Sequence, residues 1–172
     1  MRPCLDPVAL AANCRMEAYR GPGPGGQKRN KTSSAVRVTH IPTGLCATAA
    51  ESRSQAENRR LATGRLRLRI ALEVRNPIPM EGPPLPEWFS AGALSAGRLK
   101  TISLRDEQYV EIVGVIFDLL HHTAGALAEC AKILGVGTAN LARFLQRDEV
   151  LMQEVNRVRK AAGLKSLGGA RD

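Results

Sequence analysis

Ala35-Val36-Arg37-Val38-Thr39-His40-Ile41-Pro42-Thr43-Gly44-Leu45-Cys46-Ala47-Thr48 decides how the first part of this chain folds. Residues 35–40 alternate at period two, the signature of a strand with one covered face. Ile41-Pro42-Thr43-Gly44 then places proline and glycine where a β-turn wants them, and Leu45 to Thr48 returns as a second strand. Upstream, Arg15 to Tyr19 also alternates and predicts a further strand, while residues 1–14 carry only a weak helical pattern at Val8, Ala11 and Ala12. Downstream, Ser54-Gln55-Ala56-Glu57 has the capping-box form and predicts a helix running to about Val74. Along it Leu61, Leu68 and Leu72 share a face, with Ala62, Leu66 and Ile70 beside them, so its apolar side is expected to cover the small sheet.

The second half has a different grammar. From Asn76 to Lys100 the chain is rich in proline and glycine and has no periodicity, as expected of a semi-rigid spacer onto which Trp88 and Phe89 pack. Ser103-Leu104-Arg105-Asp106 predicts a helix start, and Tyr109, Ile112, Val113, Ile116, Leu119 and Leu120 follow at three-four spacing. Between Leu127 and Phe144, Cys130, Ala131, Leu134, Val136, Leu141 and Phe144 surround Gly135, the spacing by which a helix-turn-helix packs two short helices across a tight turn. An unrelated bundle of three or four helices fits the same pattern. Val150 to Ala161 is a last amphipathic helix, closed by Gly163. The fold class is therefore α+β: a short sheet with one packed helix, then a small all-α, helix-turn-helix-like unit. The expected domains are 1–76 and 101–172, joined by a linker at 77–100.

Charge separates the halves. Of a net +9, residues 1–76 carry 14 Lys+Arg against 5 Asp+Glu, and residues 77–172 carry 11 of each. A polyanion-binding surface thus belongs to the first half, and the neutral second half argues against a duplex-DNA partner. Lys28, Arg29, Asn30, Lys31, Arg37, Arg53, Arg59, Arg60 and Arg67 are the candidate RNA-binding residues. For the helical arginines, a solvated helix face is the competing reading. Cys4, Cys14, Cys46 and Cys130 form no Cys-x-x-Cys, and His40, His121 and His122 have no ligand spacing. No metal or cofactor is expected, and the cysteines are expected as reduced thiols in the cytoplasm. No apolar run approaches the roughly 18 residues of a membrane span, and no secretory leader is recognisable.

One stretch serves no core. Gly21-Pro22-Gly23-Pro24-Gly25-Gly26-Gln27 has four glycines, two prolines and a terminal amide, with cations immediately after it. It formally matches Gly-x-Gly-x-x-Gly. The prolines remove amides that would cradle a pyrophosphate, though, and no crossover helix opens at the last glycine. A P-loop is excluded because Gln27 stands where lysine is required. The loop instead suits an extended excursion along a phosphate backbone.

Gly23-Pro24-Gly25-Gly26-Gln27, followed by Asn30-Lys31, Ala35-Val36-Arg37, Thr39-His40, Pro42-Thr43-Gly44 and Ser52-Arg53-Ser54-Gln55, resembles the catalytic domain of class I peptide chain release factors. The resemblance covers roughly residues 12–75. It implies that the loop enters the ribosomal peptidyl-transferase centre, where Gln27 helps water hydrolyse the ester between peptide and tRNA. It also implies that Gly25 and Gly26 supply special backbone angles and that a methyltransferase modifies Gln27. Its implied partners are the ribosome, ribosomal RNA and peptidyl-tRNA. Pro22 departs from the family, which usually has serine or alanine there. The chain also lacks room for domains that read stop codons, so the resemblance points to the short codon-independent members that rescue stalled ribosomes. Lys165 and Arg171 poorly replace the basic tail of those members. The residue chemistry agrees with this reading. An aminoacyl ester is already activated, and no Ser-His-Asp or paired-carboxylate arrangement lies near the loop, leaving positioned water and a hydrogen bond to developing charge. A noncatalytic RNA- or DNA-binding protein, using the basic half and a helix-turn-helix, is the alternative.

Overall fold

Among the described residues every strand precedes Gln55, and the regular elements from there on are helices. The structure, a computed structural model, describes residues 7–19, 34–78, 99, 102 and 107–168. The glycine-proline loop, Lys28 to Lys31, most of the 77–100 stretch and the Ser103 cap lie outside the described residues. The chain divides into two units, Met1–Glu73 and Val74–Asp172.

In the first unit, helix α1 (Pro7–Ala12) leads into a three-stranded antiparallel sheet of β1 (Cys14–Tyr19), β2 (Ala35–His40) and β3 (Cys46–Ala49), with β2 in the middle. Val36, Val38 and His40 lie on one face of β2 and are buried, whereas Arg37 faces out, as the period-two pattern requires. The hairpin turn is one residue wider than a β-turn. The Gly44 N–H reaches back to the His40 carbonyl at 2.9 Å, and Gly44 takes the left-handed φ of 69° that closes such a turn without a Cβ penalty. The His40 imidazole nitrogen Nδ1 lies 2.8 Å from Thr43 Oγ1, and burial holds its pKa below the ordinary 6.5.

Helix α2 (Gln55–Glu73) packs across β2 and β3. Its start follows the capping box halfway. Ser54 Oγ accepts the Glu57 N–H at 3.3 Å, but the Glu57 carboxylate turns to Arg60, and the Ser54 N–H bonds Ser52 Oγ instead. The fully buried stripe is Asn58, Ala62, Leu66 and Ile70, one residue every four. Leu61 and Leu68 are only half-buried at its margin, so the covering face is rotated from the one centred on them. Burying Leu66 and Ile70 contributes about 1.5–3 kcal/mol each.

In the second unit, α3 (Glu107–His122), α4 (Leu127–Leu134), α5 (Thr138–Gln146) and α6 (Glu149–Ala161) pack together. Every residue from Ile112 to Leu120 on α3 is buried, so α3 is the core helix. Arg75 and Asn76 attach to it. The Asn76 N–H donates to Asp118 Oδ1 at 3.0 Å, and the Arg75 guanidinium is paired with the same oxygen at 3.5 Å. Tyr109 packs against Phe144 with ring centroids 5.7 Å apart and donates to Asp148, which in turn caps α6 through the Val150 N–H. Burial first, then the Asp148 charge, pushes the Tyr109 hydroxyl pKa far up.

Helix α4 ends as the glycine predicts. Gly135 sits at φ 67°, and the Val136 N–H bonds the Ala131 carbonyl at 3.0 Å, a Schellman arrangement. Cys130, Ala131, Leu134, Leu141 and Phe144 are buried around that turn. Cys130 is a free thiol whose pKa burial pushes up to about 12. Among the described residues, no helix is long and apolar enough to cross a membrane.

Gly125, at φ 77°, lies where an added Cβ would meet Arg159 Cγ at 3.0 Å and Arg159 Cα at 3.2 Å, and its carbonyl accepts from Arg159 Nη1 at 2.6 Å. We expect Gly125→Ala to destabilise the chain by about 2 kcal/mol or more in denaturant titration, because strain and clash coincide there. His40 gives a second expectation. Its folded-state pKa is depressed, so its contribution is full above pH 6.5, declines below it and is lost as the pH falls through the lower folded-state pKa. Melting temperatures recorded between pH 7.5 and 5 should therefore fall more steeply for the parent protein than for His40→Gln.

Candidate functional site

The unusual loop leaves and rejoins the sheet at neighbouring points. Tyr19 at the end of β1 and Ala35 at the start of β2 are register partners. The segment between them is therefore carried on a stem whose two sides are roughly 5 Å apart. Three interactions hold that stem. The strand ladder joins its sides. The Arg37 guanidinium lies 5.5 Å from the Tyr19 ring centroid, a cation–π contact across β1 and β2. The third comes from Asn58.

Asn58 is fully buried, and both of its amide hydrogens and its oxygen are engaged. Its Nδ2 donates to the Ser34 carbonyl at 2.7 Å and to the Ser52 carbonyl at 2.8 Å, while its Oδ1 accepts the Ser52 N–H at 2.9 Å. Ser34 is where the loop segment comes back to the sheet. One side chain thereby fixes the loop stem, the bend at Ser52 and the first turn of α2 together. Sequence reading passed over Asn58, although its place one turn before Ala62 on the stripe continued by Leu66 and Ile70 marks it as a polar group facing the interior.

The candidate RNA-binding arginines fall into distinct groups. Arg53, beside Ser52, and Arg59, beside Asn58, are exposed at the end of the unit from which the loop stem emerges. Among the described residues neither has a carboxylate partner. Arg37 is exposed on the open face of β2. Arg60 is at the same helix end, but its Nη2 is 2.7 Å from Glu57 Oε1, and that bond holds the Glu57 carboxyl below the usual range. Arg67 is half-buried and lies two turns further along α2, about 12 Å from Arg59 along the axis, so it does not join the cluster at the stem.

Two other arginines act on the sheet. His40 and Leu45 form a hydrogen-bonded pair, so the carbonyls of Cys46 and Thr48 point away from β2 at the free edge of β3. Arg69 Nη1 donates to Cys46 O at 2.9 Å and Arg65 Nη1 to Thr48 O at 2.8 Å, with Glu73 and Glu51 as their counter-ions. They blunt an edge that would otherwise pair with another strand. Among the described residues no group of three His, Cys, Asp or Glu is placed to hold a metal ion.

Comparison with known proteins adds the identity of this unit. The sequence matches the RF-1 domain family model over residues 9–79. Residues 9–79 are a class I release factor RF-1 domain. Across 66 residues the chain is 47% identical to peptide chain release factor 1 of Ureaplasma parvum, covering 38% of this chain and 18% of that protein. It is 51% identical over 66 residues to peptide chain release factor 2 of Paramagnetospirillum magneticum, again 38% and 18% of the two chains. Over 60 residues it is 52% identical to peptide chain release factor 1 of Leptospira biflexa, which covers 35% of this chain and 17% of the relative. The chain thus spans about a fifth of the length of the curated relatives it matches, and the RF-1 domain is the shared part. Within that domain lie the loop stem, Asn58 and the arginines at the start of α2.

Removing Asn58 leaves the Ser34 and Ser52 carbonyls and the Ser52 N–H without their partner. We expect Asn58→Ala to lower the stability of the RF-1 domain by about 2–4 kcal/mol, the cost of unsatisfied buried groups. Asn58→Asp should not restore it, since a carboxylate lacks the two donors. Urea titration followed by far-ultraviolet circular dichroism checks both.

Proposed function

We propose that the protein hydrolyses the ester between nascent peptide and tRNA on the ribosome, independently of a codon, and so rescues stalled ribosomes. The observation that carries this reading is Gly25-Gly26-Gln27 inside an RF-1 domain, on a segment borne by a clamped two-strand stem. The two glycines admit backbone angles closed to other residues and let the chain approach the ester without a Cβ. The Gln27 N–H donates to the negative charge that develops on the carbonyl oxygen, and its side chain orients the attacking water. Ester chemistry of this kind needs no nucleophile-base pair from the protein. Lys28, Arg29, Asn30 and Lys31 follow the loop directly, and they, Arg37, Arg53, Arg59 and Arg60 offer donors to ribosomal RNA phosphates, with Arg67 a contact further along the helix. Gln27 is also the proposed substrate of a methyltransferase.

In this scheme residues 1–76 are the catalytic domain, 77–100 a spacer and 101–172 a helical ribosome-docking module, all acting in the cytoplasm, where translation runs. Purified protein should release labelled peptide from ribosomes stalled on truncated mRNA. Gln27→Ala should reduce the release rate by about 100-fold or more, the scale of losing a transition-state donor, while co-sedimentation with ribosomes stays unchanged. Release by the alanine variant at the parental rate rejects the role of Gln27. Dependence of release on a stop codon in the A site rejects codon independence.

A further inference from the structure

The two edges of the small sheet are finished differently. At β3 the outward carbonyls are taken by Arg65 and Arg69. At β1 the edge is open. The Ile41 N–H donates to the Asn13 carbonyl at 2.9 Å, so the hydrogen-bonded positions of β1 against β2 are Asn13, Arg15, Glu17 and Tyr19. The backbone N–H and C=O groups of Cys14, Met16 and Ala18 therefore point away from β2. Every residue from Arg15 to Ala18 is exposed, and among the described residues the outward groups of Met16 and Ala18 meet no partner. The side chains are sorted by face. Met16 is the register partner of Val38 and shares the α2 side of the sheet, but α2 packs across β2 and β3, and Met16 stays 40% exposed. Arg15 and Glu17 pair with Thr39 and Arg37 and stand on the opposite face, where Arg15 Nε lies 3.3 Å from Glu17 Oε1.

Cys14-Arg15-Met16-Glu17-Ala18 is complementary to itself when run backwards. Laid antiparallel to a second β1 with Met16 opposite Met16, it sets Cys14 against Ala18 and Arg15 of each copy against Glu17 of the other. The backbone permits this alignment. Cys14, Met16 and Ala18 carry the outward groups and become the hydrogen-bonded pairs, while Arg15 and Glu17 fall at the closer, non-hydrogen-bonded positions with Cα atoms about 4.5 Å apart. Charges on an edge strand ordinarily keep edges apart. Here they select one register, because a slip of one strand by two residues in either direction puts Arg15 opposite Arg15 or Glu17 opposite Glu17.

We propose that the free edge of β1 binds a second copy of this chain, by antiparallel pairing of residues 14–18 about a two-fold axis at Met16. Three strands from each copy then form one continuous sheet, in the order β3-β2-β1-β1-β2-β3. The axis brings the two Met16 side chains together on the α2 side, which covers the exposed large apolar group of this strand. On the open face one row runs Arg37, Glu17, then Arg15 and Thr39 of the second copy, with the signs alternating. The pairing uses neither the glycine-proline loop nor Gln27, so it stands apart from the rescue reading.

Sedimentation velocity of the full-length protein, from low micromolar to near-millimolar concentration, should show a monomer–dimer equilibrium. Ala18→Pro removes an outward N–H that the monomer does not use, a change that edge strands tolerate, and should leave the protein folded and monomeric. Arg15→Glu and Glu17→Arg each put like charges across both contacts and should each weaken self-association by about tenfold. Mixed in equal amounts, these two variants set opposite charges at both contacts again and should associate with each other at about the parental strength. Thermal melts check that every variant is folded. A parent protein that stays monomeric throughout, a dimer unaffected by Ala18→Pro, or charge variants that do not recover on mixing would each overturn the proposal.

Discussion

The amide of Asn58 imposes the constraint on which the first unit depends. A side chain buried between helix and sheet must find partners for two donors and an acceptor or cost the fold several kcal/mol. It finds them in Ser34 and Ser52, the backbone that flanks the hairpin on one side and the helix cap on the other. The consequence is geometric. The strand that receives the loop cannot move relative to the start of α2 without breaking a buried bond. The proposed catalysis by positioning calls for such a mount, because a loop that brings no nucleophile can act only if its tip arrives in place. Arg53 and Arg59, sequence neighbours of the clamped residues, arrive at the same end by the same bonds.

That clamp also decides what the arginines of α2 do. Net charge treats them alike, but the helix sorts them by flank and by height. Arg65 and Arg69 face the free edge of β3 and take its outward carbonyls, which makes them structural. Arg60 is held by Glu57. On the helix Arg59 remains directed at solvent beside the stem, where Arg53, just before α2, is exposed as well. The competing readings of a solvated face and a phosphate-binding face thus apply to different residues of one helix.

Sequence carried most of the architecture because its signals here are local. The period-two run at Ala35–His40, the proline and glycine of the turn and the capping serine each act within a few residues, and the strands and α2 appear where those signals put them. Gly135 ends α4 for the same reason. What escaped was non-local. The covering face of α2 is centred on Asn58, Ala62, Leu66 and Ile70 because the sheet, not the helix, chooses which stripe it covers. Asn58 drew no notice, since a polar residue in the first turn of a helix ordinarily faces water. The turn at Gly44 is wider than a β-turn because His40 and Leu45 pair across it, a contact that turn propensities do not encode.

The second unit carries the same lesson for charge. Counted over residues 77–172, 11 cations and 11 acids cancel, and the cancellation argues against a polyanion partner. Electrostatic recognition, though, acts over about a Debye length, roughly 8 Å in physiological salt, and not over a domain average. Asp118 and Asp148 are drawn into the packing of α3 and α6 by Asn76, Tyr109 and the helix cap. Those two acids are thereby taken up where structure needs them, and α5 carries no acid at all. A domain-wide count therefore does not say which carboxylates the fold has already engaged.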